Sequence, residues 1–154
     1  MWLWSTEWAL TPKTHLVLYD GVCGLCDHFV QFLLRIDRKD TLRFAALQGP
    51  IGTEILTRHG READALSTVL VISDYEEATS RLLDRSDAAL FAIASAGGIY
   101  RAIGVFRIVP RILRDAIYRM IARWRYRVFG QFDSCPIPKP ETRAKFLDFN
   151  RPRP

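Results

Sequence analysis

Long apolar runs, abundant cysteine and a recognisable leader are all missing from this chain of 154 residues. No stretch approaches the roughly 18 apolar residues that a membrane-spanning helix requires. The longest uncharged one, Ala88 to Tyr100, is short and broken by Ser95 and two glycines. The first segment, MWLWSTEWALTPKTH, lacks the basic flank, apolar run and small-residue cleavage site of a secretory signal. Three cysteines are too few for a disulfide-stapled secreted domain, which carries a larger, even number. No internal repeat is found. The expectation is a soluble cytoplasmic protein whose thiols are redox-active or metal-binding rather than structural.

With 49% hydrophobic and 25% charged residues, the composition is that of an ordinary globular chain, and the length suits one domain with a sizeable core. The net charge of +5 hides an asymmetry. Residues 1–100 hold nine Lys and Arg against thirteen Asp and Glu, whereas residues 101–154 hold thirteen against four. Eight arginines fall between Arg101 and Arg127, with Asp115 the sole acid among them. Two readings stand for this basic region. Arg111, Arg114, Arg119 and Arg123 would meet an acidic partner or an anionic surface, or the region is a cap on the core with its arginines in water or paired to acids of the first hundred residues. No nucleic-acid-binding motif is present, so basic charge implies only non-specific contact of that kind.

Leu16-Val17-Leu18-Tyr19 reads as a buried strand stopped by the Asp20-Gly21 turn. From Cys23 the pattern turns helical: Cys26, Phe29, Val30, Leu33 and Ile36 recur at steps of three and four, with Asp27, His28, Gln31 and Arg35 opposite. This spacing places Cys26 on the buried stripe and Cys23 at the helix mouth, facing solvent. A strand is predicted over TLRFAAL and a helix over IGTEILTRHG closed by Gly60. STVLVIS is the strongest strand signal, TSRLLDR its hairpin partner, and SDAALFAIASAGG a helix capped by Ser86. This order of strands and helices is that of an α/β, thioredoxin-like fold with a CxxC at the start of its first helix. Beyond Gly98 two helical stretches flank Pro110. In the second, Ile112, Leu113, Ala116, Ile117, Met120, Ile121 and Trp124 form an apolar stripe. The single domain 1–154 thus divides into a Trp-rich arm (1–14, with Trp2, Trp4 and Trp8), a core (15–98), a basic helical cap (99–130) and a Pro-rich tail (131–154).

The pair Cys23 and Cys26 admits three readings. As a redox pair, Cys23 gains from the unpaired N–H groups and positive end of the helix, which lower a thiol pKa from about 8.5. It would attack a disulfide, and Cys26, one turn on, would resolve the mixed disulfide. Zinc needs four ligands, and beyond the pair only Cys135, His15, His28 and His59 are available, with no second CxxC or HxxxH. Small thiols also pack as apolar residues. Asp20, three positions before Cys23, either takes the proton of Cys26 or only shapes the turn. Cys135 reads as a packed residue or a second exchanging thiol, and His28 as a solvated one.

Asp20-Gly-Val-Cys23-Gly-Leu-Cys26 resembles the D-x-x-C-x-x-C signature of the DCC family of thiol-disulfide oxidoreductases. LRFAALQG, SDAAL, VPRILRDAIYRMIARWRYRVFG and the late cysteine of FDSC resemble later blocks of that family, so the likeness spans Leu16 to Cys135. It implies a thioredoxin-like fold and a dithiol/disulfide activity carried by Cys23 and Cys26, with Asp20 as the assisting acid. Gly24, Leu25 and Thr68, beside the pair, are the candidates for contact with a disulfide substrate. No bound cofactor or metal is needed, only an electron donor. The chain differs from thioredoxin itself in having no Trp before the first cysteine, no Pro between the two, and Ser67-Thr68 where thioredoxins place a cis-proline. A non-proline cis bond costs about 2.5–4 kcal/mol, so an ordinary trans peptide is expected there.

Overall fold

The computed structural model describes residues 14–61, 69–75, 80–131 and 137–150. Its order is β1 (His15–Tyr19), α1 (Gly24–Ile36), β2 (Leu42–Ala46), α2 (Pro50–His59), β3 (Leu70–Ser73), β4 (Arg81–Asp84), α3 (Arg85–Ser95), a 3-10 segment (Gly98–Ile108), α4 (Arg111–Phe129), a short 3-10 turn (Arg143–Lys145) and α5 (Leu147–Asn150).

The four strands lie in the order β2-β1-β3-β4. β1 runs parallel to β2, with Val17 opposite Phe44, and antiparallel to β3, with Val17 opposite Val71. β4 closes the far edge antiparallel to β3, which is the hairpin expected from TSRLLDR. The β1-α1-β2 crossover followed by a hairpin and a helix is the thioredoxin-like arrangement.

Alternation along β1 explains its unbroken apolar run, because both faces of the sheet are covered. Val17 and Tyr19 turn to one side, with Phe44, Val71, the α1 residues Val30 and Leu33, and the small α3 residues Ala88 and Ala92. Leu16 and Leu18 turn to the other side, against Ile51, Ile55 and Leu56 of α2. Gly60 ends α2 in the left-handed region at φ 65°, as a C-terminal glycine does. The N-cap of α3 is Asp84 rather than Ser86. The strand runs straight into the helix, and Ser86 Oγ instead donates to Asp115 Oδ1 at 2.5 Å.

Residues 137–150 return to the sheet. Phe146 is buried against Phe44 and Tyr19, and the Ala46 N–H on the outer strand donates to Asp148 Oδ2 at 2.8 Å. The stretch before Pro110 forms a 3-10 segment of 11 residues with none buried.

The largest departure from expectation is the orientation of α4. Asp115 and Arg125 are its buried residues, while Ile112, Leu113, Ala116, Ile117, Met120, Ile121 and Trp124 face outward. Polar anchors set this orientation. Arg111 pairs with Asp84 at 2.8 Å and with Asp115 at 3.3 Å, and Arg114 pairs with Asp87 at 2.8 Å. The Tyr118 hydroxyl accepts from the Val69 N–H at 2.8 Å. The pairs to Asp84 and Asp87 hold the helix to β4 and α3, the Tyr118 bond holds it to the residue before β3, and the apolar stripe is left outside.

Candidate active site

The strand β1 ends at Tyr19, and the turn that follows delivers Cys23 to the mouth of α1. Cys23 is itself the N-cap, in an extended conformation, with no side-chain cap hydrogen bond. Cys23 thus stands at the end of the helix that favours negative charge. Cys26 follows one turn later.

Both thiols are free and buried, Cys23 at 0% and Cys26 at 6% exposure. The solvent-facing position expected for Cys23 is therefore not observed. The C-terminal end of α4 covers it: Cys23 forms a β-bridge with Gln131, and the Gly24 N–H donates to the Gly130 carbonyl at 3.2 Å. Gly24 has no room for a side chain, since a Cβ there would lie 2.1 Å from the Phe129 carbonyl oxygen. In this structure Gly24 is buried by that close approach. Leu25 is half-buried and, with Cys26, Phe29, Val69, Tyr118 and Ile121, lines an apolar cavity of about 240 Å³. Thr68 and Cys135 lie outside the described residues.

The two thiols lie one helical turn apart and each acts on the ionisation of the other. Burial first, then the Cys23 sulfur beside it, pushes the Cys26 thiol up to about 12, against an opposing pull from the Asp20 backbone and the Arg125 charge. Cys26 is thus a thiol that keeps its proton at neutral pH.

Asp20 is 1% exposed and its carboxylate is fully engaged. Oδ1 accepts from the Val22 N–H at 3.1 Å, which shapes the turn, and from Gln48 Nε2 at 2.7 Å. Oδ2 accepts from the Tyr126 hydroxyl and from Arg125 Nη2 at 3.4 Å. Among the described residues no bond joins this carboxylate to either sulfur. Gln48 closes the loop by accepting from the Gly21 N–H at 3.0 Å. Burial works against the Arg125 charge, but the Tyr126 hydroxyl and both sulfurs more than offset it and hold the guanidinium above its ordinary value. Burial and the bond to Asp20 push the Tyr126 phenol up.

Gln48, Arg125 and Tyr126 were not found from spacing, since they reach Asp20 from 28, 105 and 106 positions away. The signal available was their place inside LRFAALQG and the long Arg-rich block. His28 is exposed, as expected, and its ring lies edge-on to Phe129 at 6.2 Å. Among the described residues no three of His, Cys, Asp and Glu converge to hold a metal ion. No described helix is long and apolar enough to cross a membrane.

A pair of buried thiols one turn apart at a helix N-terminus, beside a buried guanidinium, suits dithiol–disulfide exchange. The Bacillus subtilis (strain 168) protein YuxK, itself described as uncharacterized, is 33% identical over 132 residues, covering 86% of this chain and 93% of its own. A chloroplastic DCC family protein of Arabidopsis thaliana, At1g52590, is 33% identical over 126 residues, covering 81% of this chain and 70% of its own. No solved structure matches. The family model described as DCC1-like thiol-disulfide oxidoreductase matches residues 17–131, from the first strand through the turn that covers Cys23, and the chain belongs to that family.

Proposed function

We propose that the protein exchanges electrons between its Cys23–Cys26 dithiol and a disulfide that carries an apolar group. The observation that supports this most directly is the cavity beside Cys26, walled by Leu25, Phe29 and Ile121. It offers an apolar flank of a disulfide a place next to the sulfurs.

Cys23, as thiolate, attacks one sulfur of the substrate. The substrate S–S bond breaks, a Cys23 mixed disulfide forms, and the first leaving sulfur departs with the electron pair. Cys26 then attacks the Cys23 sulfur, closing the Cys23–Cys26 disulfide and releasing the second substrate sulfur, which takes the proton Cys26 gives up. The protein is oxidised by two electrons and the substrate reduced by two. A separate thiol donor returns the protein to the dithiol, and the same steps reversed oxidise a substrate.

Arg125 stabilises negative charge on either sulfur. Asp20 assists by fixing Arg125 and Tyr126 beside the pair, and its backbone helps hold charge on Cys26. The turn at Gly130-Gln131 lifts to admit the substrate to Cys23. A reducing cytoplasm fits this chemistry, with a thiol donor at hand.

The test is an equilibrium titration in dithiothreitol redox buffers, with free thiols trapped by maleimide and located by mass spectrometry. Cys23 and Cys26 are expected to oxidise together as one two-electron couple at a midpoint between about −300 and −120 mV. A pair that stays reduced throughout that range would refute the proposal.

A further inference from the structure

The outward face of α4 is left without an occupant by the fold, and its chemistry points to one. Leu113, Ile117, Met120, Ile121, Trp124 and Val128 recur at helical steps on one side and are between 46% and 68% exposed. At 100° per residue they fill a sector about 100° wide, the width of a stripe that a globular helix normally buries. The opposite side is taken by the anchors to the core, so no turning of the helix would hide the stripe.

Arg119, Arg123 and Arg127 form a row along one border of that sector, spaced i, i+4, i+8. Among the described residues no carboxylate pairs with any of the three, and Arg127 lies over the Trp124 ring at 5.2 Å. Arg111 and Arg114, by contrast, are spent on Asp84, Asp87 and Asp115. The anionic-surface expectation therefore narrows to Arg119 and Arg123 and gains Arg127. The 3-10 segment leading into α4 exposes Val105, Phe106 and Ile108 beside Arg107.

We propose that this face of α4 docks in the plane of an anionic lipid bilayer, its apolar stripe in the acyl boundary and its arginine row on the headgroups. The helix carries too much charge to span, whereas one apolar side bordered by cations is the pattern of a helix lying at the interface. A second copy of the chain is a poorer fit. The sole acid of α4, Asp115, faces the core, so two helices face to face would set arginine rows together with no carboxylate of their own to answer them. Ile121 belongs both to the stripe and to the wall of the cavity beside Cys26, so docking would set that cavity at the rim of the membrane.

Flotation of the full chain with phosphatidylcholine vesicles, with and without phosphatidylglycerol, tests the proposal. Binding at least tenfold tighter to the anionic vesicles, weakened by salt, is expected. The triple change Arg119→Glu, Arg123→Glu, Arg127→Glu should lose that tenfold, and Ile117→Ser with Met120→Ser should release the protein from both. The blue shift of tryptophan emission on binding should vanish in Trp124→Phe. The dithiol titration reports that the variants still fold. Equal affinity for neutral and anionic vesicles, or equally tight binding to a short oligonucleotide, would overturn the proposal. So would a dimer in solution that Ile117→Ser dissociates, or vesicle binding that survives the triple change and is lost on removing residues 1–13.

Discussion

Two kinds of residue surround the sulfurs: those that set charge and those that set access. Arg125 is 7% exposed in its side chain and pairs with an Asp20 side chain at 1%. Removing one partner of a buried pair leaves the other charge stranded, so Arg125→Met should cost about 3–5 kcal/mol, read in urea unfolding. Tyr126→Phe deletes the bond donated to Asp20 and the one accepted from Arg125 but strands no charge, and should cost about 1–3 kcal/mol. For Cys26 the pH dependence follows from a thiol held near 12. Its alkylation rate should climb about tenfold per pH unit through pH 10 with no plateau, since only the thiolate reacts; a plateau below pH 9 would mean the thiol is not held by burial. Local sequence disclosed Asp20, Cys23 and Cys26 because the turn and the helix mouth bring them together within seven residues. It did not disclose Gln48, Arg125 and Tyr126, whose encounter with Asp20 depends on how distant elements dock.

At the scale of elements, α1 and β1 were legible because their patterns state their surroundings: a run apolar on both faces belongs between two layers, and a 3.6-residue stripe belongs against one. For α4 the same pattern named the residues that share a face and misled as to which face meets the core. The side that meets the core carries Asp115, Arg125 and the ion pairs to Asp84 and Asp87, which no periodicity reveals. Asp115 is the keystone of that attachment. Although burial opposes its charge, Ser86 and Arg111 hold its carboxyl below 3.8. A depressed folded pKa gives stability that is present above the ordinary value and lost as pH falls through the lowered one. The amides of 111–129 should therefore stay protected at pH 5 and lose protection only well below pH 4, as hydrogen exchange would show. Gly24→Ala acts at the other end of α4. The added methyl meets the Phe129 carbonyl, so this change should destabilise by about 1–3 kcal/mol and raise the alkylation rate of Cys23 severalfold by lifting the covering turn.

Across the whole molecule, stability and reactivity sit in different layers. The sheet is packed on both faces, with Leu16, Val17, Leu18, Leu70 and Val71 at 0% exposure, whereas among the described residues the covering turn meets α1 through an isolated bridge, Cys23 to Gln131, rather than through a strand ladder. Local opening should thus precede global unfolding: amides near Gly130 should exchange at least a hundredfold faster than those of β1 and β3, and at a rate that limits Cys23 labelling. Equal protection of both regions would contradict this. The burial of Cys23 under that turn then separates two quantities that an exposed dithiol keeps joined. The midpoint potential says which way electrons run downhill, while the lid decides whether any given oxidant in the surroundings is heard at all. On the proposed dithiol chemistry, a couple so insulated would keep its oxidation state like a charge on a shielded conductor, and change it only for a partner able to lift the shield.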